Sequence, residues 1–196
     1  MPRRYVQRAR AERVARTASA IDAAVLREVG ERGHADLRLA SVARRAGVAL
    51  RTLYLRSEGK DALVDGALRR RAATLGRRVE RWQPTATSAD GVLDELVALH
   101  QRTYRAERLL LESLVTSGAP TAPAILRSLD RVRLAIIARA VDRLERMGAL
   151  AVARDDAIGL LHAVLAYPTW RAALTGPSRR RAPRLMTEML RSALLR

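Results

Sequence analysis

Residues 50–56, LRTLYLR, set side chains that can hydrogen-bond a nucleic acid beside one that folds inward. Arginine can bond both acceptors of a guanine edge at once, which makes Arg51 a candidate base reader. Thr52 and Tyr54 suit phosphates or thymine methyls, and Arg56 suits the sugar-phosphate backbone. Leu50 and Leu55 offer apolar contact to base edges or sugar. Leu53 takes the inward position.

The elements that must position these residues are legible on either side. Leu39, Val42, Ala43 and Ala46 recur at three- and four-residue steps, which predicts a short helix with one apolar face. Gly47 stops it, because glycine accepts the left-handed backbone of a helix stop and lets Val48 drop between helices. The spacing predicts a second short helix over 50–56 and a third opening near Lys60. Helix, tight turn and helix are the outline of a DNA-reading helix-turn-helix.

Over these elements the chain resembles the tetracycline-repressor (TetR) family. The family's signature appears as Ala46-Gly47-Val48, Thr52-Leu53-Tyr54 and Lys60-Asp61-Ala62-Leu63. Upstream, Thr17 to Gly33 resembles the family's first helix, with Val14, Ala18, Ile21, Val25 and Val29 at helical spacing. The match spans about 60 residues over three consecutive elements, which is more specific than a single motif. Ser57 stands where the family usually has phenylalanine, a residue this chain lacks altogether. Arg38 and Ala49 stand where threonine and serine usually cap the second and third helices, and a missing cap costs about 1 kcal/mol. Asp36 is an alternative cap for the second helix, and a DNA phosphate can serve the amides of the third. The candidate DNA-binding set is Arg38, Leu50, Arg51, Thr52, Tyr54, Leu55, Arg56 and Lys60, with Lys60 on a phosphate.

The 196 residues suffice for one large or two modest domains. Apolar periodicity lapses at Gln83-Pro84-Thr85-Ala86-Thr87-Ser88, which predicts a connection and a division into 1–80 and 81–196. Alanine, leucine and arginine dominate and strand-like alternation is absent, so the expected fold is all-α: an N-terminal three-helix helix-turn-helix domain joined to a larger C-terminal helical domain. Net charge is +17, from 36 arginines and a single lysine against 20 acids, which attracts phosphate polymers or anionic lipid. The first 80 residues hold 19 basic and 9 acidic side chains, the remainder 18 and 11. Arg3, Arg4, Arg8, Arg10, Arg13 and Arg16 precede and open the first helix, either as an arm reaching an adjacent groove or as a solvated tail. Without cysteine there is no disulfide, thiol chemistry or sulfur-ligated zinc. No apolar run reaches the roughly 18 residues of a membrane span, and the start lacks a signal-peptide pattern, so a cytoplasmic protein is expected.

Beyond the connection, Asp90 to Arg105 and Glu107 to Thr116 read as core helices, the second with Leu109, Leu110, Leu111, Leu114 and Val115. A long amphipathic run follows from Ile125 to Met147 and stops at Gly148. Asp155 and Asp156 open another helix, which ends before Pro168 and the turn Thr175-Gly176-Pro177. A last helix near Arg184 to Leu195 is expected to bury Leu185, Met186, Met189, Leu190 and Leu194. The resemblance implies that the last two long helices pair with those of a second subunit, and reading geometry agrees: one short helix reads three or four bases, whereas a homodimer reads two half-sites about 34–36 Å apart. It also implies a small-molecule effector in the second domain. The candidate pocket residues are Trp82, His100, Tyr104, His162, Tyr167 and Trp170, the aromatic and imidazole groups beyond residue 80, although a histidine on an apolar helix face is more often a satisfied core group. Few aromatics favour an aliphatic or acyl-type effector. Arg179, Arg180, Arg181 and Arg184 form a basic cluster near the last helix, as a solvated loop or a second nucleic-acid contact.

His34, His100 and His162 are far apart in sequence, and no phosphate loop, HExxH or GxSxG pattern occurs. The expected protein is therefore no enzyme and carries no cofactor or metal. It is expected to be a ligand-responsive, sequence-specific DNA-binding transcriptional regulator, a repressor acting as a homodimer on a palindromic double-stranded DNA operator, with no membrane partner. The alternative is a non-specific, charge-driven nucleic-acid-binding protein, which excess bulk DNA would compete away.

Overall fold

A computed structural model of the chain describes residues 2–175 and 180–196, with side chains from Gln7 onward. Gly176, Pro177 and Arg179 of the predicted turn and basic cluster lie outside the described residues, as do the side chains of Arg3 and Arg4. Every regular element among the described residues is a helix, so the fold is all-α. In order these are α1 (Pro2–Arg32), α2 (Leu39–Ala46), α3 (Leu50–Tyr54), α4 (Lys60–Glu80), α5 (Ala89–Ala106), α6 (Arg108–Thr116), α7 (Ala122–Arg146), α8 (Arg154–Val164), α9 (Tyr167–Thr175) and α10 (Ala182–Leu194).

Two of the differences from expectation have reasons visible in the residues. α1 starts at Pro2 rather than Thr17, so the basic segment is helical rather than an extended arm. Residues 3–16 contain no glycine or internal proline, and arginine, alanine and glutamate favour helix throughout. Proline itself suits the first helical position. Arg8 and Glu12 add an i,i+4 ion pair at 3.2 Å. Val14, placed on the apolar face by its spacing, is 54 % exposed, because burial on α1 begins only at Ile21. The second difference is α9, which sequence periodicity passes over. Pro168 follows its first residue, where a missing amide proton costs nothing.

The chain forms two compact units. The first comprises residues up to Leu75 together with Leu109–Arg127, and the second comprises Gly76–Arg108 with Ser128–Arg196. α6 from Leu109 and the start of α7 through Arg127 belong to the first unit.

In the first unit Val25, Leu26, Val42, Leu53, Val64, Leu68, Leu110 and Leu114 are buried. Ser113 of α6 donates to the Leu26 carbonyl at 3.3 Å, Thr121 donates to Asp65 at 2.5 Å, and Arg70 holds Asp22 through two bonds of 2.9 and 2.7 Å. Val115 on α6 points outward, contrary to its expected core place.

In the second unit one apolar cluster joins α5 (Val92, Leu93, Leu96, Val97), α7 (Ile136, Ile137, Ala140, Val141, Leu144), α8 (Ala157, Leu161) and α10 (Leu190, Leu194). Ser88 caps α5 by accepting from the Gly91 amide at 3.2 Å. Arg191 of α10 pairs with Asp90 and Asp94 of α5. An isolated bridge between Leu150 and Leu195 fixes the end of the chain against the α7–α8 connection. On α10, Met186, Leu190 and Leu194 are buried as expected, but Leu185 and Met189 are 42 % and 50 % exposed. They lie on a flank of the helix, each one residue before a core-facing side chain, whereas Arg184, Glu188 and Ser192 face away from the core.

Candidate nucleic-acid interface

The turn between α2 and α3 follows from its residues. Gly47 sits at φ 65°, ψ 35°, and its amide reaches back to Ala43 and Arg44 carbonyls. The Val48 amide bonds the Ala43 carbonyl at 3.0 Å, which completes the helix stop. α3 then runs only from Leu50 to Tyr54, two residues shorter than its apolar spacing predicts. Leu55 and Arg56 continue as a turn, with their amides bonded to the Arg51 and Leu53 carbonyls at 3.0 Å each. Leu53 is buried and anchors the short helix.

Neither cap of these helices is made by a side chain. Arg38 and Ala49 occupy the N-cap positions of α2 and α3 in extended conformation, without a side-chain bond to the helix amides. Asp36 therefore does not cap α2. The Ser41 and Val42 amides instead bond the Arg38 carbonyl at 3.0 and 3.1 Å.

A buried carboxylate fixes α2 against α1. Glu28 is fully buried, and Ser41 donates to its Oε2 at 2.8 Å while Arg45 Nε lies 3.2 Å from the same oxygen. Arg32 Nε lies 3.0 Å from Oε1, close enough for charge attraction but outside hydrogen-bonding alignment. Arg45 also donates to both Glu31 oxygens at 2.9 and 2.5 Å, which holds the Glu31 carboxyl below its usual range. Sequence reading passed over this clamp. Its signal was a glutamate at the spacing of Ile21 and Val25, on a face otherwise apolar. A second tie joins the start of α4 to the α1–α2 connection: Lys60 Nζ donates to the Ala35 carbonyl at 2.9 Å, and His34 Nε2 lies 3.2 Å from Asp61.

These supports leave one face of α3 to solvent. Leu50, Tyr54 and Leu55 are 38 %, 59 % and 77 % exposed, and Arg51 and Arg56 are exposed beside them. Among the described residues none bonds the Arg51 or Arg56 guanidinium. Thr52 is half-buried at the edge of this face. Arg38 lines an open cleft of about 470 Å³ with Arg32, Ala35, Asp36 and Leu37. The structure thus brings Leu50, Arg51, Tyr54, Leu55 and Arg56 to one short segment, with Thr52 at its rim. It sets Arg38 and Lys60 at the starts of the flanking helices, Lys60 with one N–H already used.

In the second unit four of the six candidate pocket residues converge. Tyr104 meets His100, Tyr167 and Trp170 with ring centroids 5.8, 5.2 and 6.4 Å away, the first two edge to face. The Tyr104 hydroxyl donates to the Leu165 carbonyl at 2.5 Å, and burial pushes its pKa up to about 12. His100 Nδ1 bonds the Leu96 carbonyl at 2.8 Å, so that nitrogen carries the proton. Burial lowers the His100 pKa to about 4, against the opposing effect of that bond. His162 sits beside them in a charged group: its Nε2 lies 3.0 and 3.1 Å from the Asp130 oxygens, and Arg133 donates both to Asp130 at 2.7 Å and to the His162 carbonyl at 2.6 Å. Burial raises the Asp130 pKa, but bonds from Arg133 and His162 outweigh it and hold the carboxyl below its usual range. Trp82 makes no ring contact with the four. It packs on the apolar cluster, and its carbonyl accepts from Arg139 at 3.2 Å. Among the described residues no three metal-ligating side chains gather.

No protein-family model matches this chain, and no curated protein does. Solved structures do match it along most of its length. SmeT, the repressor of the Stenotrophomonas maltophilia multidrug efflux pump SmeDEF, solved with triclosan, is 19 % identical over 92 % of each chain, with a TM-score of 0.65. The transcriptional regulator FadR from Bacillus subtilis, in complex with stearoyl-CoA, is 15 % identical over 89 % of this chain and 98 % of its own, with a TM-score of 0.66. A TetR-family transcriptional regulator from Mesorhizobium loti is 19 % identical over 93 % and 98 %, with a TM-score of 0.62. At these identities the similarity is one of fold.

Proposed function

We propose that this chain, which has the fold of TetR-type regulators, is a ligand-responsive, sequence-specific DNA-binding transcriptional regulator, acting as a repressor. The observation that carries the reading is the solvent face of α3 and the turn after it: two unpaired arginines and three exposed large side chains on a segment anchored from behind by Leu53. A surface assembled this way suits the major groove, which admits a helix and presents both guanine acceptors and thymine methyls.

In this reading Arg51 bonds a guanine, Leu50 and Leu55 touch apolar base edges, and Thr52, Tyr54 and Arg56 hold phosphates. Arg38 and the two remaining N–H groups of Lys60 add phosphate contacts from the flanking helices. The unit carries two-fold partners through α10, whose exposed Leu185 and Met189 lack cover within the chain, and the homodimer reads a palindromic operator. The effector is an apolar small molecule bound against the His100, Tyr104, Tyr167 and Trp170 group, with the Asp130–Arg133–His162 group nearby. The stearoyl chain of the stearoyl-CoA bound by FadR is an aliphatic acyl group, and the triclosan bound by SmeT is largely apolar, in keeping with this class. No described helix is long and apolar enough to cross a membrane, and cytoplasmic placement is part of the same proposal.

The test is operator binding in the presence of bulk competitor DNA. Specific binding that survives the competitor and weakens when the effector is added supports the reading. Binding lost to competitor at every sequence would favour the second reading, a charge-driven nucleic-acid binder, for which the +17 net charge is the supporting observation.

A further inference from the structure

A single exposed leucine needs no explanation by itself; the setting of Leu55 is what carries information. At 77 % it is the most exposed large apolar side chain among the described residues. Its amide bonds the Arg51 carbonyl at 3.0 Å, so Leu55 lies one helical turn from Arg51 on the same face. Side chains in that relation have Cβ atoms about 5–6 Å apart, and successive bases on a strand rise about 3.4 Å. The pair therefore spans one to two base steps. Arg51 and Arg56 flank the leucine with exposed cations. An apolar protein surface or a bilayer interior would have to strip both guanidinium groups of water to reach it, whereas the major groove offers anionic phosphates around one apolar projection, the thymine C5-methyl.

We propose that Leu55 is a specificity-determining residue that reads a thymine C5-methyl group one or two base pairs from the base bonded by Arg51. The inference rests on the regulator reading given above. It predicts that recognition depends on a methyl group as well as on hydrogen bonds, with the guanine-reading residue on α3 and the methyl-reading residue in the turn that follows it.

The experiment uses the full-length protein and the operator fragment it selects. Each thymine of one half-site is replaced singly by deoxyuridine, which lacks only the methyl, and affinity is measured for wild type, Leu55→Ala and Leu50→Ala. At one position within two base pairs of the Arg51 contact, deoxyuridine is expected to weaken wild type about fourfold, the value of burying one methyl. Leu55→Ala is expected to lose nothing there, and Leu50→Ala to retain the fourfold loss. Deoxyuridine effects of equal size in wild type and Leu55→Ala at every position, or none at any, would overturn the proposal. If Arg51→Ala still relaxes discrimination at one base pair in that case, the regulator reading stands without it. Absence of sequence preference in the wild type would overturn both. Because Leu55 is solvent-exposed, Leu55→Ala is expected to keep the helical circular dichroism of the wild type.

Discussion

Arg51 and Arg45 are both arginines of the helix-turn-helix, yet their surroundings give them opposite tasks. Arg45 is held by Glu28 and Glu31, whereas Arg51 meets no described partner. Arg51→Ala is accordingly expected to cost about 1–3 kcal/mol of operator affinity and to relax discrimination at one base pair. Competition binding against single-base operator variants measures both. Full sequence preference in that variant would place the reading residue elsewhere. Glu28→Ala is expected to act on the fold instead, because it leaves the Arg32 and Arg45 charges without their buried partner. Arg32 and Arg45 stay partly exposed and Arg45 keeps Glu31, so a loss of about 1–3 kcal/mol in denaturant unfolding is expected, chiefly from Ser41 left without its buried acceptor. In the second unit His100 links stability to pH. Its folded pKa, about 4, lies below the unfolded value of 6.5, so the unfolded chain binds more protons between the two. Stability from this group is complete above pH 6.5 and is lost as pH falls toward 4. From pH 7.5 to 5 the loss is about 2 kcal/mol, and His100→Asn should remove that part of the acid sensitivity in paired thermal melts.

At the scale of elements, Gly47 is the joint on which the presentation of α3 depends. A side chain there meets open space but must adopt a left-handed backbone, so Gly47→Ala is expected to cost about 1 kcal/mol and to weaken operator binding with it. An unchanged melting temperature would show that the turn relaxes without penalty. Most elements were legible from spacing, because α2, α5, α7 and α10 each repeat apolar residues at three- and four-residue steps. The early start of α1 was not, since exposed arginine and alanine carry helix propensity without an apolar period. α9 was hidden by Pro168, which reads as a break although it sits in a first turn. The outward places of Arg51, Tyr54 and Arg56 were legible because their polar groups contrast with the buried Leu53, whereas the exposed Leu50 and Leu55 share its residue type. The clamp behind this face was not, because a buried glutamate looks like any acid until its partners from another helix are known.

At the scale of the molecule, two compact units share a chain that passes between them more than once. α4 and α7 each contribute residues to both. The exposed Leu185 and Met189 on α10 are the apolar surface that the proposed dimer would cover. Replacing both by glutamate is expected to halve the mass seen by light scattering and to abolish operator binding while preserving helix content. A variant that remains dimeric would move the interface elsewhere. The central claim, that the face of α3 reads sequence, is tested most directly by recovering fragments from sheared genomic DNA with the purified protein, at near-physiological salt with excess competitor. The account predicts recovery of a shared inverted-repeat site whose half-sites lie about one helical turn apart. Recovery of fragments with no common sequence would contradict it and leave the net charge, rather than Arg51 and its neighbours, as the source of binding.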